Sequence, residues 1–459
     1  MSKYKIPSLV AALALVLGAC ATATTLPAVT TTAAPGTTAA APSTTAAPST
    51  TAAPGTTAAA NPLADYGEDP TAADLGLVEK ALGPVDPSDE ASWNIILASI
   101  ARAQQDVGLI DTAKALECWS QPQCDTGSDG ELVMGYADGG GNDVNVWRSV
   151  SHMEAVLQAL SYPEIGRIIS THADFSTDLA AHEATISFLV QAGVDFIVGY
   201  PDAGVGLRNV LLAAKEAGIP YTSFSAGWVG LPDQEGALVP GEDYLTVVGE
   251  DLCALGTSFA DVLNTGIGTG KAAMLGGTPN NALSLGWQRC TQSELASTIE
   301  LVNPMANENT TAGDTYWYPP AIPPVFNSLL TANPDINGYA YEYADGVWYG
   351  LPTYDELGIP VKNLTLALRT DEQNLFCDWA QRDEPTYNIY YSAGGNFQSR
   401  VSVTAAIMNT KGATIPGEIV VPHVMRAVTE ADCNEARPNA AVSGTSLVPE
   451  DILAAMFAG

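Results

Sequence analysis

The chain has 459 residues, with 51 Asp and Glu against 18 Lys and Arg, and a formal net charge of −33 at pH 7. So acidic a surface repels phosphate backbones and anionic lipid, which excludes DNA or RNA as partners. The length beyond the first 64 residues is too great for one ordinary core and sufficient for two lobes.

In chain order, residues 1–20 read as an export signal: Lys3 and Lys5, an apolar run from Ile6 to Ala19, and Leu17-Gly18-Ala19-Cys20 at its end. The LGAC tetrapeptide resembles the lipobox of bacterial lipoproteins. The resemblance implies that Cys20 becomes the acylated mature N-terminus, so that the membrane is a partner only through that anchor. Residues 21–64 are almost entirely Ala, Thr and Pro, with TTAAP at 31–35, 44–48 and 50–54 and no charge between Lys5 and Asp65. That composition cannot repay its ordering entropy and reads as a semi-rigid tether, at about 3 Å per residue a reach on the order of 100 Å.

Residues 65–130 read as a mostly helical extension packed on the first lobe, with helical stretches at Trp93–Ile100 and Asp111–Trp119. From 131 onward strand and helix alternate. Strands are expected at 132–136, 165–170, 194–199 and 219–224, with helices near 146–160, 176–192 and 205–217. A second set begins near 244. Its strands are expected at 244–248, 271–275, 336–341, 363–368 and 387–391, and its helices at 251–264, 286–302, 322–332, 346–357 and 372–381. A helix at 396–411 and a strand at 418–422 follow. Gly193, Gly218 and Gly358 each end a helix just before a β-branched residue, as left-handed caps do. The fold class expected is α/β: two similar doubly wound parallel-sheet lobes joined by a hinge. Lobe 1 is assigned 131–242 with 394–416, lobe 2 takes 243–393 with 417–435, and 436–459 is a C-terminal tail.

Six cysteines besides Cys20 in an exported chain predict disulfides. Cys118 and Cys124 suit a local loop. Cys253–Cys290 and Cys377–Cys433 are chosen because each ties neighbouring elements of one lobe. A metal site is the weaker reading, since no CxxC occurs and the four histidines are not paired with cysteines; no cofactor is expected.

The richest stretch is LVMGYADGGGNDVNVWRSV, 132–150: a buried strand, a loop of Gly, Asp and Asn, and a helix start. Ligands of open α/β sheets sit beyond the carboxyl ends of the strands, where this loop lies. Asp138 and Asn145 offer acceptors and donors, Trp147 a flat face and Arg148 a fork of donors, a mixture that suits a polyhydroxylated guest. The competing reading is a long turn with a core Trp. Gly139-Gly140-Gly141 lacks the third spaced Gly of a dinucleotide fingerprint, and GIGTGK at 266–271 lacks the residues of a phosphate loop. No GxSxG or HExxH occurs and no nucleophile is indicated, so the reading is of a protein that is not an enzyme.

The order of these pieces resembles the type I periplasmic binding proteins, sugar-binding components of ABC importers of the ribose- and galactofuranose-binding types, over 131–425. The segments that carry it are GYADGGG…WR at 135–148, AGVDFIVGYP at 192–201, LLAAKEAGIPYTSFSAG at 211–227, VVGEDLCALGTSFADVL at 247–263, GKAAMLGG at 270–277 and YEYADGVWYGL at 341–351. The resemblance implies lobes that close on a ligand and present it to ABC permease subunits, the chain acting as a monomer. It places Trp147 and Arg148 at the sugar, with Asp174 after the second strand and Ser225 where the family often has an Asp-Arg pair. In the second lobe it points to Arg289, with Trp287 as competing occupant, to Asp345, to Asp371 and to Tyr391 at the last crossing. Each has a structural alternative, a helix cap or a core position. A tethered sensor for an autoinducer-like or nutrient ligand, and a nucleoside- or amino-acid-binding relative, stay open as alternatives, as does a glycan-processing enzyme.

Overall fold

The computed structural model describes residues 61–458 except 62, 88, 106–109, 141, 143–144, 174–177, 362–363, 383–386, 393 and 438–441. The signal, Cys20 and the tether lie outside the described residues.

Two sheets form the two lobes. The first contains β1 (Gln123–Asp125), β2 (Leu132–Asp138), β3 (Ile165–His172), β4 (Phe196–Gly199), β5 (Tyr221–Ser223), β6 (Thr246–Gly249) and β12 (Glu418–Val420), in the order β1-β3-β2-β4-β5-β6-β12. The second contains β7 (Gly270–Leu275), β8 (Ile299–Leu301), β9 (Gly338–Tyr341), β10 (Leu364–Leu368), β11 (Tyr387–Tyr391) and β13 (Arg426–Ala427), in the order β13-β11-β10-β9-β7-β8. All pairs are parallel except β1–β3 and β11–β13. Central strands such as β4 and β10 are buried at every residue, which is why they read as mostly apolar runs without a polar face.

Helices α4 (Val146–Leu160), α5 (Leu179–Ala192) and α6 (Arg208–Glu216) follow strands of the first sheet. Helices α7 (Leu252–Ile267), α8 (Ala282–Glu294), α9 (Ile322–Ala332), α10 (Ala344–Gly350), α11 (Pro352–Glu356) and α12 (Gln373–Ala380) belong to the second. Helix α13 (Gln398–Thr410) returns to the first lobe, where it packs on β4, β5 and β6 and beneath α2 (Glu90–Gln105) and α4. It is buried from Gln398 to Met408, so it lacks a polar face, and its polar side chains are paired inside: Arg400 with Glu154, Ser402 with the Ser223 carbonyl. The extension of α1 (Leu75–Leu82), α2 and α3 (Thr112–Ser120) lies on this lobe; Ile95, Ile96 and Ile100 share a core with Phe397, Val401 and Ile419.

Several sequence expectations are corrected. The strand expected to open the second lobe is β6, and it pairs with β5 and β12 in the first sheet (Thr222↔Thr246, Glu418↔Val247). The strand at 418–420 joins the first sheet for the same reason. A βα repeat gives no signal for which sheet accepts a strand at a crossing. The helix expected at 286–302 begins at Ala282, because the Asn281 side chain accepts from Leu283 N at 3.0 Å and caps it, and Ile299–Leu301 is strand β8. The short edge strands β1, β8 and β13 carry too few residues to show a period.

The chain crosses between lobes from β6 to α7, from β11 to α13 and from β12 to β13, and then a fourth time. Residues 442–456, within the stretch expected as a tail, supply this crossing. Asp371 in the second lobe accepts from Ser443 Oγ, from Thr445 N at 2.9 Å and from Thr445 Oγ1 at 3.2 Å. Glu154 of α4 accepts from Ser446 Oγ at 2.9 Å and from the N–H groups of Leu447 and Val448 at 2.7 and 3.2 Å. Helix α14 (Glu450–Met456) then packs on α3 of the first lobe. Disulfides join Cys118 to Cys124, Cys253 to Cys290 and Cys377 to Cys433, the pairs expected from sequence.

Candidate functional site: the cleft between the lobes

The carboxyl ends of the central strands of both sheets meet at a cavity of about 40 Å³. On the first lobe, β2 ends at Asp138 and the chain turns through Gly139. A Cβ there would lie 2.0 Å from His182 Cε1 and 2.2 Å from Asp202 Oδ2, so only glycine fits. Asn145 then caps α4 by accepting from Arg148 N at 2.9 Å. This start of α4 brings Asn145, Trp147 and Arg148 to the cavity; Tyr200 after β4 and Ser225 after β5 complete the wall. Ser225 and Ala226 both hold left-handed backbone, at φ 59° and 56°. Such strain in non-glycine residues persists where the surroundings fix it, often at a ligand site.

On the second lobe, Leu283 of α8, Trp317, Glu342 and Tyr343 after β9, and Arg369 and Thr370 after β10 form the facing wall. Trp317 is also left-handed, at φ 50°, and its ring lies on Gly277, where a Cβ would come within 1.9 Å of it. The lobes are closed on each other: Asn145 Nδ2 donates to the Trp317 carbonyl at 3.1 Å, and Asn281 Nδ2 to the Asp202 carbonyl at 3.1 Å.

The charged groups of the wall are held by the protein. Arg148 donates to Asp138 at 2.5 Å and to Asp202, in one of these contacts at 2.9 Å. Burial works against its charge, but the Asp202 and Asp138 carboxylates outweigh that and push its pKa well above the ordinary value. Asp138 is itself desolvated, which alone would raise it, yet Arg148 and His172 bring it below the usual carboxylate range. Arg369 donates to Glu250 at 2.9 and 3.3 Å, and Gln398 donates to the same carboxylate at 3.1 Å, which ties the wall to two of the crossings. Glu342 accepts from Ser284 Oγ and Trp287 Nε1 at 2.6 Å and from Trp317 Nε1 at 3.1 Å. Burial pushes its carboxyl up to about 7, a rise that these donors limit.

Of the residues singled out from sequence, Asn145, Trp147, Arg148 and Ser225 line the cavity. Asp138 stands one layer back and holds Arg148. Asp174 lies outside the described residues. Trp287 is fully buried and reaches the cavity only through Glu342. Arg289 sits on the rim, where it pairs at 2.8 Å with Asp233 of the other lobe. With α8 starting at Ala282, Arg289 is two turns along the helix and faces outward. Asp345 is buried behind the wall, hydrogen-bonded by Asn374 at 3.0 Å, and burial raises it to about 7. Asp371 holds the fourth crossing, and Tyr391 donates to Asp432 at 2.8 Å, both away from the cavity.

Sequence reasoning missed Tyr200, Leu283, Trp317, Glu342, Tyr343, Arg369 and Thr370. Five of these, Tyr200, Glu342, Tyr343, Arg369 and Thr370, are among the first two residues past a buried strand, a signal present in the sequence. Trp317 comes from a long irregular segment that carries none. Among the described residues, no cluster of His, Cys, Asp and Glu suits a metal, and no helix is long and apolar enough to cross a membrane.

Residues 142–351 match the family model of a periplasmic binding protein domain. Similar solved structures include the periplasmic component of the arabinose ABC transporter of Shewanella sp. ANA-3, bound to L-arabinofuranose. The two are 15% identical, the match covers 64% of this chain and 92% of that one, and the TM-score is 0.54. An ABC transporter solute-binding protein of Agrobacterium vitis with bound α-D-tagatopyranose is 15% identical, covering 67% and 97%, at 0.54. A protein of Mycobacterium smegmatis in complex with β-D-fucofuranose is 18% identical, covering 67% and 94%, at 0.53. These likenesses are of fold. No curated protein matches the sequence.

Proposed function

We propose that this protein, which carries a periplasmic binding protein domain on the type I two-lobe fold, is a lipid-anchored extracellular receptor that captures a small sugar and delivers it to an ABC permease. The observation that supports this most is the closed cavity with walls from both lobes, in which aromatic faces (Trp147, Tyr200, Trp317, Tyr343) alternate with polar groups (Asn145, Arg148, Ser225, Thr370). Aromatic faces pack the apolar side of a sugar ring, and polar groups fix its hydroxyls. Capture requires only that the guest bind the closed form better than the open one. The solved neighbours that hold arabinofuranose, tagatopyranose and fucofuranose add weight to a monosaccharide or polyol.

The four aromatic side chains also suit a flat heterocycle, so a nucleoside is the second reading. A thermal-shift screen of the purified protein over pentoses, hexoses, polyols, nucleosides and amino acids separates the two. Stabilisation by a monosaccharide or polyol is expected, and stabilisation by nucleosides or amino acids alone refutes the sugar reading. The anchor is read from Cys20 and the tether: Cys20→Ala is expected to move the protein from the membrane fraction to the medium. Permease and ATPase genes beside this one are expected, and a sensor kinase gene in their place would favour a signalling role.

A further inference from the structure

The cavity, at about 40 Å³, has room for about three waters. Sites for small organic guests run to about 300 Å³ and more, so a monosaccharide needs something in this cleft to move. Most of the wall is fixed by regular structure: its residues follow the ends of β4, β5, β9 and β10 or stand at the starts of α4 and α8. Among the lining residues, Trp317 alone comes from an irregular segment, the one that joins β8 to α9. Its indole has a bulk similar to that of a sugar ring.

The closed lobes hold that segment in place. Tyr316 and Trp317 are both left-handed, at φ 58° and 50°, a conformation that non-glycine residues keep only where the surroundings impose it. Within its own lobe, the Gly276 and Gly277 carbonyls accept from Thr315 N and Tyr316 N at 2.9 and 3.0 Å. From the opposite lobe, Asn145 Nδ2 donates to the Trp317 carbonyl at 3.1 Å, and the Tyr200 ring meets the indole edge to face with centroids 5.9 Å apart. Opening the lobes removes both of these contacts. Glu342 does not depend on the indole either. Ser284 Oγ donates to one of its oxygens and Trp287 Nε1 to the other, each at 2.6 Å, while the Trp317 bond is the longest of the three at 3.1 Å. A guest hydroxyl can take that third place.

We propose that Trp317 is an internal competitor for the cleft: with the lobes closed, its indole occupies the space and the Glu342 oxygen that a sugar needs, and a sugar binds by taking its place once the lobes open. This rests on the sugar-binding reading above and adds its regulation. The closed form then exists in two kinds, filled by the indole or by the guest. Molecules of the first kind are lost to binding, which weakens the apparent affinity. Of the aromatic faces of the wall, Trp147, Tyr200 and Tyr343 remain for the guest.

The test uses the full chain, with L-arabinose, D-tagatose and D-fucose as probes in isothermal titration calorimetry. Trp317→Ala removes the indole. Gly277→Ala keeps it but unseats it, since a Cβ there would lie 1.9 Å from the ring, so the conclusion does not hang on one variant folding. With the indole seated in about nine molecules of ten, either change is expected to tighten binding about tenfold. Weaker or unchanged binding by the folded variants makes Trp317 a face that packs the sugar and overturns the proposal. A second measurement needs no guest: the distance between spin labels, one on each lobe, in the sugar-free protein. Loss of the seated indole is expected to shift it to longer values, because the closed form loses what fills it. A distance that stays the same or shortens overturns the proposal as well. If none of the three sugars binds the parent or either variant, that counts against the functional reading alone, and the distances still decide whether Trp317 holds the cleft shut.

Discussion

Replacing Arg148 by Met keeps a long side chain in place and removes the charge between two buried carboxylates. The exposures of the Arg148, Asp138 and Asp202 side chains are 4%, 2% and 0%, so solvent does not take over the lost role. Breaking a buried pair from one side costs about 3–5 kcal/mol, because a charge is left without compensation. Titration sets an independent ceiling. A stranded carboxyl with an ordinary unfolded-state pKa of about 3.9 can take up a proton instead, at a cost of about 4 kcal/mol at pH 7 and about 1.5 kcal/mol at pH 5. The expected loss is therefore about 4 kcal/mol at pH 7, shrinking by about 1.4 kcal/mol for each pH unit downward. The sign reverses that of the parent protein. There, the depressed Asp138 pKa contributes stability above its unfolded value, which is lost as the pH falls through the folded one. In the variant the stranded carboxyl is raised, and stability is lost as the pH rises. Urea unfolding of both proteins at pH 5, 6, 7 and 8 measures this directly. A loss below about 1 kcal/mol at pH 7, or one that is the same at pH 5 and pH 7, would refute the argument that Asp138 and Asp202 depend on Arg148. Loss of ligand binding by an Arg148 variant consequently has to be judged at a pH where the fold persists.

Glu342, pushed up to about 7 by burial, contributes stability that is present below its unfolded pKa and is lost as the pH rises towards 7. The amplitude is on the order of 3 kcal/mol, and Glu342→Gln is expected to flatten the stability profile between pH 4.5 and 7 in chemical denaturation. Arg289→Ala removes a rim pair whose Asp233 partner is 56% exposed. Its expected cost is below about 1 kcal/mol and its effect on ligand affinity below about fivefold, so a larger loss in calorimetry would return Arg289 to the site. Ending the chain at residue 441 removes the donors to Glu154 and Asp371 in both lobes. It is expected to lower the melting temperature by several degrees and to broaden the distribution of distances between spin labels on the two lobes; an unchanged distribution would show that the fourth crossing does not restrain them.

The features of the site that were legible in the sequence are local. Asn145 caps α4 through a contact three residues away, so the spacing Asn145–Trp147–Arg148 already places the last two on the helix's first turn. Two second-lobe candidates, Asp345 and Asp371, were displaced by one to three residues for one reason. Strands β9 and β10 end at Tyr341 and Leu368, and the first residues beyond them, Glu342, Tyr343, Arg369 and Thr370, face the cavity. By Asp345 and Asp371 the chain has turned into what supports the wall. Acidic residue type drew attention to those positions, but the strand's end decides which side chains reach the cleft.

What the sequence by itself determined is what short-range physics encodes: buried strands as apolar runs, helices closed by Gly193, Gly218 and Gly358, the local Cys118–Cys124 loop, and a Gly-rich turn feeding a capped helix. These depend on neighbours a few residues away, and they suffice for the two-lobe α/β architecture. Only the tertiary structure decided that β6 and β12 belong to the first sheet, that residues 442–456 strap the lobes together, and that Arg148 and Arg369 are bound to Asp138, Asp202 and Glu250. Those partners lie up to 119 residues away. No periodicity reports such contacts, because which sheet edge accepts a strand, and which carboxylate meets which guanidinium, is settled by packing the whole chain at once.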